Sequence, residues 1–105
     1  MHRDDPLVVA LEGGFEYAID NLPNKIDCLI TVNFIHNISP DLLREYYHDL
    51  INKHEISEMI VDSVDAQGYM YCHDFASLIK EYEEAKTIFE HEGRKVLVLR
   101  KKNIK

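Results

Sequence analysis

A chain of 105 residues, 46% apolar and with a formal charge of −7, has room for one domain and one core, and no apolar run in it nears the ~18 residues of a membrane span. Its 19 acidic residues outnumber 12 basic ones, so nucleic-acid binding, which needs a basic surface to displace counterions, is not expected. The opening residues MHRDDP are charged and precede only a brief apolar segment, unlike a secretory signal, and a soluble, cytoplasmic protein is the expectation.

Residues 7–11, LVVAL, read as a short buried strand closed by Gly13-Gly14. The next stretch, FEYAIDNLPNK, leaves its element type open, with a turn at Pro23 and Asn24. Residues 27–35, DCLITVNFI, form a nearly continuous apolar and β-branched run. Such runs occur in strands covered on both faces, so helices are expected on both sides. Ser39-Pro40-Asp41 then starts a helix: Ser39 can cap the free amides, Pro40 is preset for the first position, and Asp41 suits the positive end of the dipole. Leu42, Leu43, Tyr46, Tyr47, Leu50 and Ile51 recur at helical spacing, and Lys53 and His54 suit the C-terminal end. The two tyrosines are expected in the core with their hydroxyls at its rim.

Residues 58–64, EMIVDSV, make a second central strand, so residues 27–64 form a β-α-β unit, expected to be parallel and right-handed. Beyond Gly68, Tyr69, Tyr71 and His73, a second amphipathic helix is predicted through Phe75, Leu78, Ile79 and Tyr82. KTIFEHEGRKVLVLRKK reads as an antiparallel hairpin turning at Glu92-Gly93. All 19 acidic residues precede Arg94, whereas residues 94–105 carry six basic residues and no acid. This tail reads as a sheet-edge strand whose lysines guard against unwanted pairing.

Cys28 and Cys72 form no CxxC pair and lie in apolar or aromatic surroundings, which suits reduced, buried thiols. The six histidines show no HxxxH or HExxH spacing, so no metal site is expected. Open parallel sheets bind ligands beyond the carboxyl ends of their strands. Asn33 and His36 fall at that end of the first long strand, and Asp62 and Asp65 at that end of the next. Taken singly, Asn33 and Asn37 also suit turn and cap chemistry, and His36 a half-buried imidazole. Imidazole titrates near neutral pH, so His36 and His73 are the candidates for general base.

The order of elements, carried by NLPNKIDCLITVNFIHNISPDLL, EMIVDSV and GRKVLVLRK, resembles the C-terminal half of a class I S-adenosylmethionine-dependent methyltransferase. These segments are similar to that family's fourth, fifth and seventh strands. The resemblance implies an α/β fold with a Rossmann-like partial sheet: a parallel β-α-β core at residues 27–64, a second helix and a C-terminal antiparallel hairpin. It implies S-adenosylmethionine as cofactor and a small-molecule acceptor. Asn33 and Phe34 would lie beside the transferable methyl, with His36 and His73 as catalytic candidates and Asp62 and Tyr71 on the acceptor side.

The family's glycine-rich loop and ribose-binding acid have no room in this sequence, and Gly13-Gly14 lacks the GxGxxG context. Residues 1–105 are therefore expected to form a single incomplete domain, a fragment inactive by itself. Loss of the family's first strands would bare the edge of the run at residues 27–35. Either LVVAL fills that place or another chain does, and a homodimer or a partner chain on the sheet edge is expected. The alternative reading is a non-catalytic α/β protein-interaction module.

Overall fold

The computed structural model describes residues 6–11, 14–32, 35–64 and 73–102. They form β1 (Val8–Leu11), α1 (Phe15–Asn21), β2 (Lys25–Thr31), a 3-10 turn (Ile35–Asn37), α2 (Pro40–Lys53), β3 (Glu55–Val64), α3 (Phe75–Leu78), β4 (Tyr82–His91) and β5 (Arg94–Lys101). One five-stranded sheet runs in the order β1-β2-β3-β5-β4. Its first three strands are parallel, and the hairpin adds β5 and β4 antiparallel. This is the α/β architecture the sequence pattern predicts.

Parallel neighbours need a crossover of roughly a dozen residues or more, and α2 provides it. Pro40 opens the helix, Asp41 lies in its first turn and Lys53 in its last. Ser39 takes the N-cap position, but its side chain makes no capping hydrogen bond. Its carbonyl instead accepts the Leu43 N–H at 2.9 Å. Leu43, Tyr47 and Leu50 recur on one face and are fully buried. Leu42, out of that phase, is 42% exposed.

β1 lies parallel to β2, with Val9 beside Leu29 and Leu11 beside Thr31. The chain's own LVVAL segment thus takes the place beside β2. Its start is pinned by the Leu7 N–H, which donates to Asp27 Oδ2 at 2.7 Å. The segment whose element type was open becomes α1, whose Phe15 stacks on Tyr46 at 4.9 Å and meets Tyr47 edge-on at 5.5 Å. At the opposite end of α2, His54 is buried with one ring nitrogen 2.8 Å from the Pro23 carbonyl and the other 2.9 Å from that of Ile19. That contact ties the end of α1 to the start of β3.

Several expectations differ from the structure, the burial of LVVAL among them: Val8 and Ala10 are exposed, and Val9 and Leu11 are half-buried. The strand at residues 27–35 stops at Thr31, and Ile35 reaches the core from the 3-10 turn instead. An unbroken apolar run has no period that separates strand from buried turn. The second helix is a single turn; Phe75, Leu78, Ile79 and Tyr82 are all buried, but Tyr82 already begins β4 opposite Lys101. Sheet pairing captures the C-terminal part of the helical pattern.

The described helices also lie on one side of the sheet. α2 touches both α1 and α3, and Leu29, Met59, Val61, Leu97 and Leu99 point into the core these helices share. Cys28, Ile30 and Ile60, on the opposite face, are only half-buried. Finally, β5 is not an edge strand. It lies between β3 and β4, where its basic residues meet acids across the ladder: Arg100 to Glu58 at 2.8 Å, Arg94 to Asp62 at 3.0 Å, Lys95 to Glu90 at 3.8 Å. Among the described residues, no helix is long and apolar enough to cross a membrane.

Candidate functional site

Among the described residues, three of the four buried polar ones, Thr31, Asp62 and His73, gather where the parallel strands end. Thr31 closes β2, and its hydroxyl shares a 2.7 Å hydrogen bond with that of Tyr47, both fully buried. The tyrosine hydroxyl is therefore inside the core and not at its rim. Burial pushes the Tyr47 phenol far above its ordinary range; the Thr31 bond opposes that rise and the charge of Asp62 adds to it.

Asp62, near the end of β3, is fully buried and accepts a hydrogen bond from Arg94 at 3.0 Å. Arg94 is the first residue of β5, so the hairpin turn delivers a cation to the same end of the sheet. His73, just before α3, is buried, and its Nε2–H donates to the Ile35 carbonyl at 2.8 Å. In that tautomer the lone pair of a neutral ring belongs to Nδ1. The contact joins the approach to α3 with the turn that follows β2.

Two of the candidate site residues, Asp62 and His73, are thus placed at one end of the sheet. Asn33, Phe34, Asp65 and Tyr71 lie outside the described residues. His36 has its backbone in the 3-10 turn, and its side chain is outside the description. Sequence reasoning did not find Arg94 or the Thr31–Tyr47 pair. Both arise from register and crossover geometry between segments far apart in the chain, and no local pattern signals them.

A groove of about 490 Å³ lies elsewhere, on the helical side between α2 and the link from α3 to β4, with Arg44, His48 and Lys80 over Ile51 and Leu78. Among the described residues, no group of three His, Cys, Asp or Glu side chains converges as a metal site. Cys28 is a free thiol whose pKa is raised by burial and further by Glu58.

No family model matches the sequence, and no curated protein does either. Solved structures do. Magnesium protoporphyrin IX methyltransferase (ChlM) from Synechocystis PCC 6803 with bound SAH is similar with a TM-score of 0.59 and 12% identity, over 80% of this chain and 48% of that one. The same enzyme with bound SAM gives a TM-score of 0.56 and 14% identity, over 80% of this chain and 43% of that one.

The chain has a class I methyltransferase-like fold. It spans less than half the length of the solved structures it matches. Such a fold raises the question of whether the residues present fit a sulfonium nucleoside like the one bound in those structures. Among the described residues they form no cradle for it. Thr31 and Tyr47 bond each other, Asp62 bonds Arg94, and His73 bonds backbone. Gly14, left-handed at φ 67°, opens a helix of only seven residues.

Proposed function

We propose that the chain is part of an S-adenosylmethionine-dependent methyltransferase acting on a small molecule, and that a further polypeptide segment holds most of the cofactor. The observation that carries this is the parallel pairing of β2 and β3 within a methyltransferase-like fold, which brings the ends of both strands and the start of α2 to one side. Asn33 and Phe34 follow β2 directly and are assigned to the side facing the transferable methyl. Asp62, Tyr71, His36 and His73 are assigned to the acceptor side. The cofactor supplies an electrophilic methyl, and this chain's part is to position the acceptor and hold its proton. His73, whose Nε2–H is directed to Ile35, and His36 are the candidates for general base.

Calorimetry with S-adenosylhomocysteine tests the reading, on the chain alone and on the chain joined to whatever the gene encodes directly upstream. Binding by the extended form, weakened by Asn33→Ala, is the expected result. No heat from either form would remove the proposal.

A second reading has its own support. Asp62 and His73 are buried and hydrogen-bonded within the chain, which suits structural roles in an α/β interaction module with no cofactor. A partner chain or a second copy belongs to both readings.

A further inference from the structure

An open sheet has two outer edges, and here they are β1 and β4. The two are built differently. β4 breaks register twice along its ladder with β5, and Glu83, Glu84, Lys86 and Glu90 lie exposed along it. Bulges and charge are the means by which an edge is kept from pairing with another strand. β1 has neither. Val8–Leu11 pairs with β2 in unbroken register, carries no charged residue, and exposes Val8 and Ala10.

The pairing with β2 also fixes which backbone groups of β1 face away from it. The Leu7 carbonyl accepts the Cys28 N–H at 3.1 Å and so points to β2. Backbone groups alternate in direction along a strand, so those of Val9 and Leu11 face β2, and the N–H and C=O of Val8 and Ala10 face outward. Among the described residues, β1 has no neighbouring strand on that side.

We propose that a β-strand of the further polypeptide segment that holds the cofactor adds to this edge, bonding through Val8 and Ala10. The source of that strand rests on the methyltransferase reading; the choice of edge stands on β1 and β4 alone. A row of outward amides and carbonyls selects an extended strand over a helix, whose own backbone groups are already bonded. With Val8 and Ala10 as cross-strand neighbours, the residues that match them are apolar. A second copy is the poorer occupant. Edge-to-edge pairing would engage only the four residues of β1, well short of the roughly 1,200 Å² of a stable association. A segment covalently joined to the chain has no such demand, because its pairing is intramolecular. Both solved structures of this fold carry more than half their length outside the match.

Residue-resolved hydrogen exchange tests this on the chain alone and on the chain joined to whatever the gene encodes directly upstream. In the chain alone, the amides of Val8 and Ala10 are expected to exchange freely and those of Val9 and Leu11 more slowly. In the extended form, Val8 and Ala10 are expected to slow by at least about tenfold, and Ala10→Pro to abolish the protection of Val8. Proline suits this test because the N–H it removes makes no bond to β2, so the urea midpoint of the chain alone should barely move. Ile88→Lys, on β4 and 47% exposed in the wild type, is the control and leaves the pattern unchanged. Protection gained along β4 instead of β1 would overturn the proposal, as would an upstream sequence with no strand-forming stretch. So would protection in the chain alone that grows with concentration, the sign of a second copy. S-adenosylhomocysteine binding separates the two readings. An extended chain that binds it with Val8 and Ala10 unprotected overturns the strand addition alone, and one that protects them without binding overturns the methyltransferase reading alone.

Discussion

Thr31 and Tyr47 form a buried hydrogen bond between hydroxyls from neighbouring layers of the fold, and its energetics are asymmetric. Removing one hydroxyl strands the other away from water, at a cost of about 1–3 kcal/mol, whereas removing both is close to neutral. Tyr47→Phe and Thr31→Val should each lower stability by about that much in urea unfolding, and the double variant should recover most of the loss. Additive losses would show that the two hydroxyls are independently satisfied. A second buried tyrosine adds to the loss of stability in base. Tyr82 is buried, donates its hydroxyl to the Ile56 carbonyl, and has its pKa pushed up to about 12 by burial, with Glu81 adding. An unfolded tyrosine titrates near 10. Between about pH 10 and about pH 12 the unfolded chain gives up a proton that the folded chain keeps, so stability must fall as pH rises through that window. Below about pH 10 both states are protonated and the contribution is complete. Tyr82→Phe should be less stable at neutral pH and should show a shallower alkaline decline of the urea midpoint.

Elements were legible where a local rule had no competitor. Ser39-Pro40-Asp41 with the Leu43, Tyr47, Leu50 stripe defined α2, and Glu92-Gly93 defined the hairpin. The single turn of α3 was not legible, because Phe75, Leu78, Ile79 and Tyr82 bury the same side chains whether the backbone continues as helix or enters β4. Nor was the central place of β5, since a run of basic residues fits an edge strand as well as one whose Arg100 and Arg94 answer Glu58 and Asp62. At the candidate site, the strand ends were readable from the pattern, but Arg94 reaches Asp62 only through a register that no local signal encodes. The hairpin gives a test at this scale. Glu92 and Gly93 have φ values of 47° and 79°, a two-residue turn in which both positions are left-handed, the arrangement that favours Asn-Gly. Gly93→Ala should cost about 1–2 kcal/mol through that backbone conformation. Glu92→Asn should stabilise, because asparagine tolerates positive φ better than glutamate. Thermal melts of both variants would show opposite shifts; a neutral Gly93→Ala would mean the turn rearranges.

Across the whole molecule, charge segregated along the sequence is neutralised across the sheet, because the basic C-terminal strand is inserted between acidic neighbours. The solvent-facing pairs, Arg100–Glu58 and Lys95–Glu90, contribute little, about 0–1 kcal/mol each. Global stability therefore rests on the apolar layer between the helices and the β2, β3 and β5 strands. Met59, Val61, Leu97 and Leu99 lie in that layer, and their strands are paired on both sides. β4 has the opposite situation: it pairs with β5 alone, its register shifts twice, and every residue after Tyr82 is exposed. Opening free energies follow buried contact, so the sheet should not unfold as one unit under native conditions. Native-state hydrogen exchange should find the amides of residues 59–61 and 97–99 protected up to the global limit. Amides of β4 from Glu84 onward should exchange at least roughly a hundredfold faster, equivalent to about 3 kcal/mol less opening free energy. Uniform protection across β4 and β3 would mean that the hairpin is held by contacts beyond its ladder with β5.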